Sequence, residues 1–525
     1  MTRTKSMSSL WLAVICTGYG MIAQAVVKMP PVISDHMVLQ RDAKVPIWGM
    51  AAPGEAVNVS FAGQTKSTKA DAAGKWIVTL DPMAASAEAR VMTIGSSIKD
   101  AKLEITDILV GEVWVGSGQS NMAGGAGGYA KSDSVLAANI AAAPYPKLRL
   151  CRASQPWNTE SSNSVAGFSA LLFSFGVRLQ KELDIPVGLM VGAVGGTPSG
   201  YWLSQDAYAS DQACKDVVAT YAKKYNREAA IKSYETSMAK WKKDLEAAKQ
   251  KGETKLPREP AKPLNPGECK SKVGNLYEAH IRPYIPFAIR GVLWDQGESG
   301  TAIEGVDQYT LMGALIRGWR KEWNQDFAFI FVQKPSGGGC ALDESDPVTI
   351  KGEKLLPLPA AVAANGEFRE LHIRIMNYPN TFMATSSDLG PGVHPINKSG
   401  YGSRSARVAL GAVYGKPVEI YGPIYKAHKV EAGKVIVSFD HVGKGLTFKK
   451  ATPIEKIQGF AIAGDDGKFV WADAAIEGDT VVLSSATVTK PVAVRYAWAA
   501  QHPWANLFNK DGLPAIPFRT DSANK

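Results

Sequence analysis

Ile108-Leu109-Val110-Gly111-Glu112-Val113-Trp114-Val115 runs directly into Gly116-Ser117-Gly118-Gln119-Ser120-Asn121-Met122. The first eight residues are a mostly apolar run of the kind that forms a buried strand. The next seven read as a turn rich in Gly and Ser. A strand feeding such a turn sets Ser120 at the strand's carboxyl end, where open α/β sheets place their ligands. A serine hydroxyl becomes a good nucleophile only when a base takes its proton. Glycines beside it let a substrate approach and leave N–H groups to face a developing oxyanion. On local grounds alone a plain turn explains the stretch equally well, so the rest of the chain decides.

Apolar runs recur at residues 186–192, 289–294 and 329–332. Between the last two, Leu311, Leu315, Ile316 and Trp319 follow helical spacing within 309–323. Strand, helix and strand in repetition predict a parallel sheet with helices on both faces, over 106–418. Residues 26–105 read as a small β-sandwich. There Val57, Val59 and Phe61 alternate with polar neighbours, and Trp76, Val78 and Leu80 do so with Ile77 intervening. Residues 419–525 read as a second β-sandwich, with strands at 435–439, 460–463 and 480–483 and a last strand over 490–498. Gly464-Asp465-Asp466-Gly467 marks a hairpin, and the tail Trp504–Asn509 is expected to pack on the central domain.

An insertion at about 204–275 interrupts the central region. Residues 221–254 are rich in Ala, Lys and Glu, with Ala230, Tyr234, Met238 and Trp241 on one helical face. Pro257, Pro260, Pro263 and Pro266 end the pattern. A helical hairpin arm is expected, over the domain or toward a second copy of the chain.

The chain has 525 residues, enough for about two to four domains. Apolar and charged contents of 45% and 21% fit a globular protein. The net charge is +10, and many of the lysines lie in the helical arm, as a solvated face. No zinc-finger, RNA-binding or basic-zipper pattern accompanies it, which excludes nucleic acid as the expected partner. Arg3 and Lys5, the apolar segment 10–22 and Ala23-Gln24-Ala25 read as a signal peptide over 1–25. Export to the periplasm or outside the cell follows, with no span left after cleavage. Cleavage leaves Cys151, Cys214, Cys269 and Cys340, of which Cys214 and Cys269 bracket the insertion and are the first pair expected.

Three more segments accompany the first. They are Gly195-Gly196-Thr197-Pro198, Trp294-Asp295-Gln296-Gly297-Glu298-Ser299 and Asp388-Leu389-Gly390-Pro391-Gly392-Val393-His394-Pro395. With Gly118-Gln119-Ser120-Asn121-Met122 they resemble the sialate O-acetylesterase family of SGNH-type carbohydrate esterases, over almost the whole mature chain. The resemblance implies an SGNH-hydrolase-like three-layer α/β/α domain between two β-sandwiches, and an O-acetylated sugar as substrate. It implies Ser120 as nucleophile, in an acyl-enzyme reaction that needs no metal or organic cofactor. It also places His36, in a recurrent N-terminal segment, in a structural part.

His394 is the expected base, since an imidazole with a pKa near ~6.5 accepts a proton at neutral pH. His280 and His372 are the runners-up. The oxyanion is expected to meet the Ser120 N–H, an N–H of Gly195 or Gly196, and the Gln296 side-chain amide. Gln119, Asn121 and Asp295 are expected at the substrate. The acid is open. Relatives carry Asp two residues before the histidine, where this chain has Gly392. Glu298 is the first choice, matching the triad glutamate of related plant and fungal acetylesterases; Asp388 is the second and Asp295 the third, with a Ser–His pair as the remaining option. Relatives often carry Asn where this chain has Gly300, which leaves sialic acid in competition with acetylated xylan or pectin. A non-catalytic glycan-binding protein is the alternative class; Ser120, His394 and Glu298 together argue against it.

Overall fold

The computed structural model describes residues 27–96, 102–159 and 162–521. Six parallel strands make the central sheet: β1 (Lys102–Gly118), β2 (Leu148–Arg152), β3 (Val187–Ala193), β4 (Gly291–Asp295), β5 (Ala328–Val332) and β6 (Thr381–Ala384). Their order is β6-β5-β4-β1-β3-β2, with a short antiparallel strand, Asn158–Thr159, at the β2 edge. The chain fills one side of β1 first and then crosses to the other. Such a reversal opens a crevice at the carboxyl ends of the strands.

Side chains alternate across each strand, so the sheet feeds two cores. Val113, Val115, Val292, Trp294, Phe329 and Phe331 join the core that holds residues of the helices Asn275–His280 and Gln308–Trp323. Trp114, Leu293, Ile330 and Val332 join the other, with the helices Ala170–Leu183 and Lys398–Ala412. The result is the expected three-layer α/β/α arrangement. Leu311, Leu315, Ile316 and Trp319 are all buried, as their spacing predicts. Asp307 caps that helix by accepting from the Thr310 N–H, and Asn324 ends it in the left-handed region.

β1 serves two sheets. Its first part pairs with Ser86–Ser96 and Val38–Gln40, and its last part is the middle of the parallel sheet. The boundary expected at 105/106 therefore falls inside one strand, because no Pro or Gly interrupts the pattern from Leu103 to Val110. In the N-terminal β region, Ile77 is half exposed while Trp76, Val78 and Leu80 are buried, so the strand alternates cleanly. His36 Nδ1 lies 2.7 Å from Asp107, which also pairs with Arg149 of β2 at 3.1 Å. That arrangement links the N-terminal region to the parallel sheet.

The C-terminal region holds two four-stranded sheets around a shared core. Gly464–Gly467 closes a hairpin between Phe460–Ala463 and Val470–Trp471. The strand expected over 490–498 is limited to Ala493–Tyr496, and two later strands follow it, Leu507–Asn509 and Phe518–Arg519. The tail packs on the central region: Cys340 donates to Ala505 O, and Phe508 shares a core with Cys340 and Leu355.

The insertion has one long helix, Arg227–Gln250, capped by Asn226, and not a helical hairpin. Its return past Pro257 is irregular, since prolines deny it backbone donors. Trp241 Nε1 donates to Pro257 O at 3.0 Å and ties the two together. The expected Cys214–Cys269 disulfide is absent: Cys151, Cys214, Cys269 and Cys340 are free thiols, three of them buried. The expected signal peptide lies outside the described residues. Among the described residues, no helix is long and apolar enough to cross a membrane.

Candidate active site

Each loop of the site leaves the carboxyl end of a sheet strand. Ser120 follows β1, Gly195 follows β3, Gln296 and Glu298 follow β4, Lys334 follows β5 and Asp388 follows β6. The β1 turn is sewn to β4, with the Gln119 N–H donating to Asp295 O at 2.9 Å. Gly118 has φ +129, and a Cβ there would lie 2.1 Å from Asp295 O. Only glycine fits that approach. Ser120 opens a single helical turn, Ser120–Ala123.

Ser120 Oγ lies 2.8 Å from His394 Nε2. The two residues are 274 positions apart in the chain. This separation is within the range for direct proton transfer. Gly195 borders the same serine: a Cβ on it would be 3.4 Å from Ser120 Cβ. Gly196, at φ +72, would project a Cβ into open space. Among the described residues, none accepts a hydrogen bond from the N–H of Ser120 or of Gly195. Both donors are free to face an incoming carbonyl oxygen.

Gln296 is placed differently from the expectation. Its amide nitrogen donates to Gly300 O at 3.1 Å and to Thr197 O at 3.4 Å, and its oxygen accepts from Gln308. Both amide hydrogens thus hold the β3 and β4 loops together, and neither remains for an oxyanion.

The three carboxylates expected as acids are engaged elsewhere. Lys334 Nζ lies 2.6 Å from Asp295 and 2.8 Å from Glu298. Burial opposes the charge on Lys334, but the two carboxylates outweigh it and raise its pKa, so the ammonium persists. Glu298 also accepts from the Gln119 amide, and Ser299 donates to Gln119 Oε1. Asp388 is buried in a two-bond pair with Arg404, at 2.8 and 3.0 Å. Among the described residues, no carboxylate reaches His394. Gln119, Asn121 and Asp295, expected at the substrate, are all buried against internal partners.

Neither runner-up histidine touches Ser120. His372 is buried behind Gly297, where burial, helped by Lys334 and Arg369, pushes its pKa down to about 3. His280 is half-buried beside Trp202.

Sequence reasoning missed two buried lysines. Lys334 lies two residues past the end of the apolar strand β5, an unusual place for a cation. Lys398 opens the helix after His394, where the dipole favours acidic side chains. Both anomalies were readable. Burial pushes the Lys398 pKa down to about 7. Among the described residues, no three His, Cys, Asp or Glu side chains converge as metal ligands.

A serine and an imidazole in proton-sharing contact above a parallel sheet define the class, a carboxylic-ester hydrolase. Residues 110–250 match the family model described as carbohydrate esterase, sialic acid-specific acetylesterase. Sialate O-acetylesterase of Homo sapiens is 26% identical over 93% of this chain and 91% of its own length. That of Rattus norvegicus is 26% identical over 93% of each. The crystal structure of a carbohydrate acetylesterase from Xanthomonas citri is 28% identical, with a TM-score of 0.71, covering 95% of this chain and 100% of the other. The chain is thus similar to sialate O-acetylesterases and to a carbohydrate acetylesterase over nearly its whole length.

Proposed function

We propose that the protein removes O-acetyl groups from sialic acid or a related sugar through an acetyl-serine intermediate, with Ser120 and His394 acting as a pair. The 2.8 Å contact between their side chains carries this reading. His394 Nε2 takes the proton from Ser120 Oγ as the oxygen attacks the acetyl carbonyl. The oxyanion accepts from the N–H groups of Ser120 and Gly195. Collapse breaks the bond to the sugar oxygen, which leaves with the proton from His394. Water then gives its proton to His394 and attacks acetyl-Ser120, releasing acetate and restoring the hydroxyl.

The engagement of Glu298, Asp388 and Asp295 by Lys334 and Arg404 supports a pair over a triad. The contact of Ser120 with His394 also speaks against a binding-only relative. Residues 1–25 would direct the chain to the periplasm or outside the cell, where acetylated glycans are found.

Acetate release from p-nitrophenyl acetate by wild type and Ser120→Ala tests the reaction. Equal rates would end the proposal. A panel of O-acetylated sialic acids against acetylated xylan and pectin then identifies the sugar, and preference for the plant polymers would replace sialic acid as the substrate.

A further inference from the structure

The imidazole is held by little of its own. Pro391, Gly392, Val393 and His394 are all exposed. Among the described residues, two hydrogen bonds reach residues 391–395. One is the contact between His394 and Ser120; in the other, Asn121 Nδ2 donates to Val393 O at 3.0 Å. Asn121 directly follows the serine and Val393 directly precedes the histidine. One side chain therefore bridges the two halves of the site.

Asn121 is itself fixed from behind. Lys398 Nζ donates to Asn121 Oδ1 at 2.7 Å, and that is its one hydrogen bond among the described residues. The Lys398 amine donates in either charge state, and a backbone carbonyl can only accept. Between them they favour one orientation of the Asn121 amide, since a flip would set its oxygen against Val393 O and lose that bond. Lys398 is fully buried, under the rings of Tyr129 at 4.6 Å and Tyr401 at 5.8 Å. Burying an ammonium with a single hydrogen-bond acceptor is costly, and the acceptor here is a residue of the site. Asp295, Glu298 and Asp133 attract its charge, and Lys334 repels it.

We infer that Lys398 is a positioning residue for the ester hydrolysis, locking the Asn121 amide so that it holds the Val393–His394 backbone with the imidazole on Ser120. This rests on the proposed roles of Ser120 and His394. It shares with a triad carboxylate only the placing of the imidazole, acting on the backbone of the loop and not on the ring's tautomer or charge.

The test is p-nitrophenyl acetate hydrolysis by wild type, Lys398→Met, Asn121→Leu, the double variant and Ser120→Ala. Lys398→Met should lose about 100-fold in kcat with KM changed by less than about twofold, because the imidazole is misplaced while the pocket stays intact. The double variant should match Asn121→Leu alone, since both changes break one link. A wild-type kcat in Lys398→Met, or losses that multiply in the double variant, would overturn the inference. If Lys398→Met does not fold, Asn121→Asp carries the test. It keeps the acceptor for Lys398 but sets a carboxylate oxygen against Val393 O, and a wild-type kcat there would be equally fatal. Ser120→Ala separates the two levels. Full activity in that variant removes the esterase reading itself, whereas an inactive Ser120→Ala beside a normal Lys398→Met removes only the role of Lys398.

Discussion

The two halves of the site are built in opposite ways. The Ser120 turn is a product of the sheet: Gly118 lies against the β4 backbone, Gln119 is bonded to Asp295 O, and Gly195 closes in from β3. The His394 loop is exposed and hangs on Asn121. The nucleophile is thus placed by parallel-strand geometry, which is hard to perturb without unfolding. The base is placed by a short polar chain, which a single side chain can break. Variants on the first side should fail in stability or chemistry outright, and variants on the second chiefly in kcat.

The largest effect tests the reaction itself. Ser120→Ala should reduce kcat by about 10^6-fold, read from acetate release, and a loss below about tenfold would remove the distinction between the two halves. Next, Asp388→Asn should destabilise the fold by about 3–5 kcal/mol in urea melts, because it leaves Arg404 buried without its partner. In the surviving folded fraction kcat should change little; a large kcat loss at unchanged stability would make Asp388 the missing acid. Gly118→Ala should cost about 2–4 kcal/mol, combining the clash with Asp295 O and a positive φ. An unaffected melt would show that the serine turn is less tightly sewn than the sheet requires.

Gln296→Ala sharpens the contrast further. An oxyanion donor lost here would raise the barrier by about 2.7–4 kcal/mol. With both amide hydrogens bonded to Thr197 O and Gly300 O, the loss should instead appear as about 1–3 kcal/mol of stability. The last effect concerns Lys398 and is read against pH. Its pKa falls from 10.5 in the open chain to about 7 when folded, through burial and Lys334, against Asp295, Glu298 and Asp133; the Tyr129 and Tyr401 rings also face it. Between those values the unfolded chain binds a proton that the folded chain does not, so stability rises with pH. Lys398→Met should remove up to about 1.4 kcal/mol per pH unit of that rise between pH 7 and 10.5, seen as a flatter melting profile. An unchanged profile would mean that the folded chain keeps Lys398 charged.

Legibility followed the range of the interactions. Strands and helices that declare themselves by periodicity, such as 309–323 and 108–115, appear where their patterns put them. Ile77 obscured its strand because an apolar residue on the outer face carries no label of its own. The arm was half legible: its helix follows from composition, but the prolines decide the return. Gln296 reads as an oxyanion donor in the sequence, which shows its chemistry but not its partners. Glu298 and Asp388 read as acids for the same reason, since the cations that claim them lie in other segments.

The sequence alone determined the sheet, the serine at the end of its central strand and the likeness to carbohydrate esterases, because these rest on local pattern and on motifs of adjacent residues. Only the tertiary structure decided which groups meet. It brought residues 120 and 394 together, gave the carboxylates to Lys334 and Arg404, and left Asn121 between the two halves of the site. Hydrogen bonds depend on distance in space, and the pairs that matter here are separated by up to hundreds of positions in the chain.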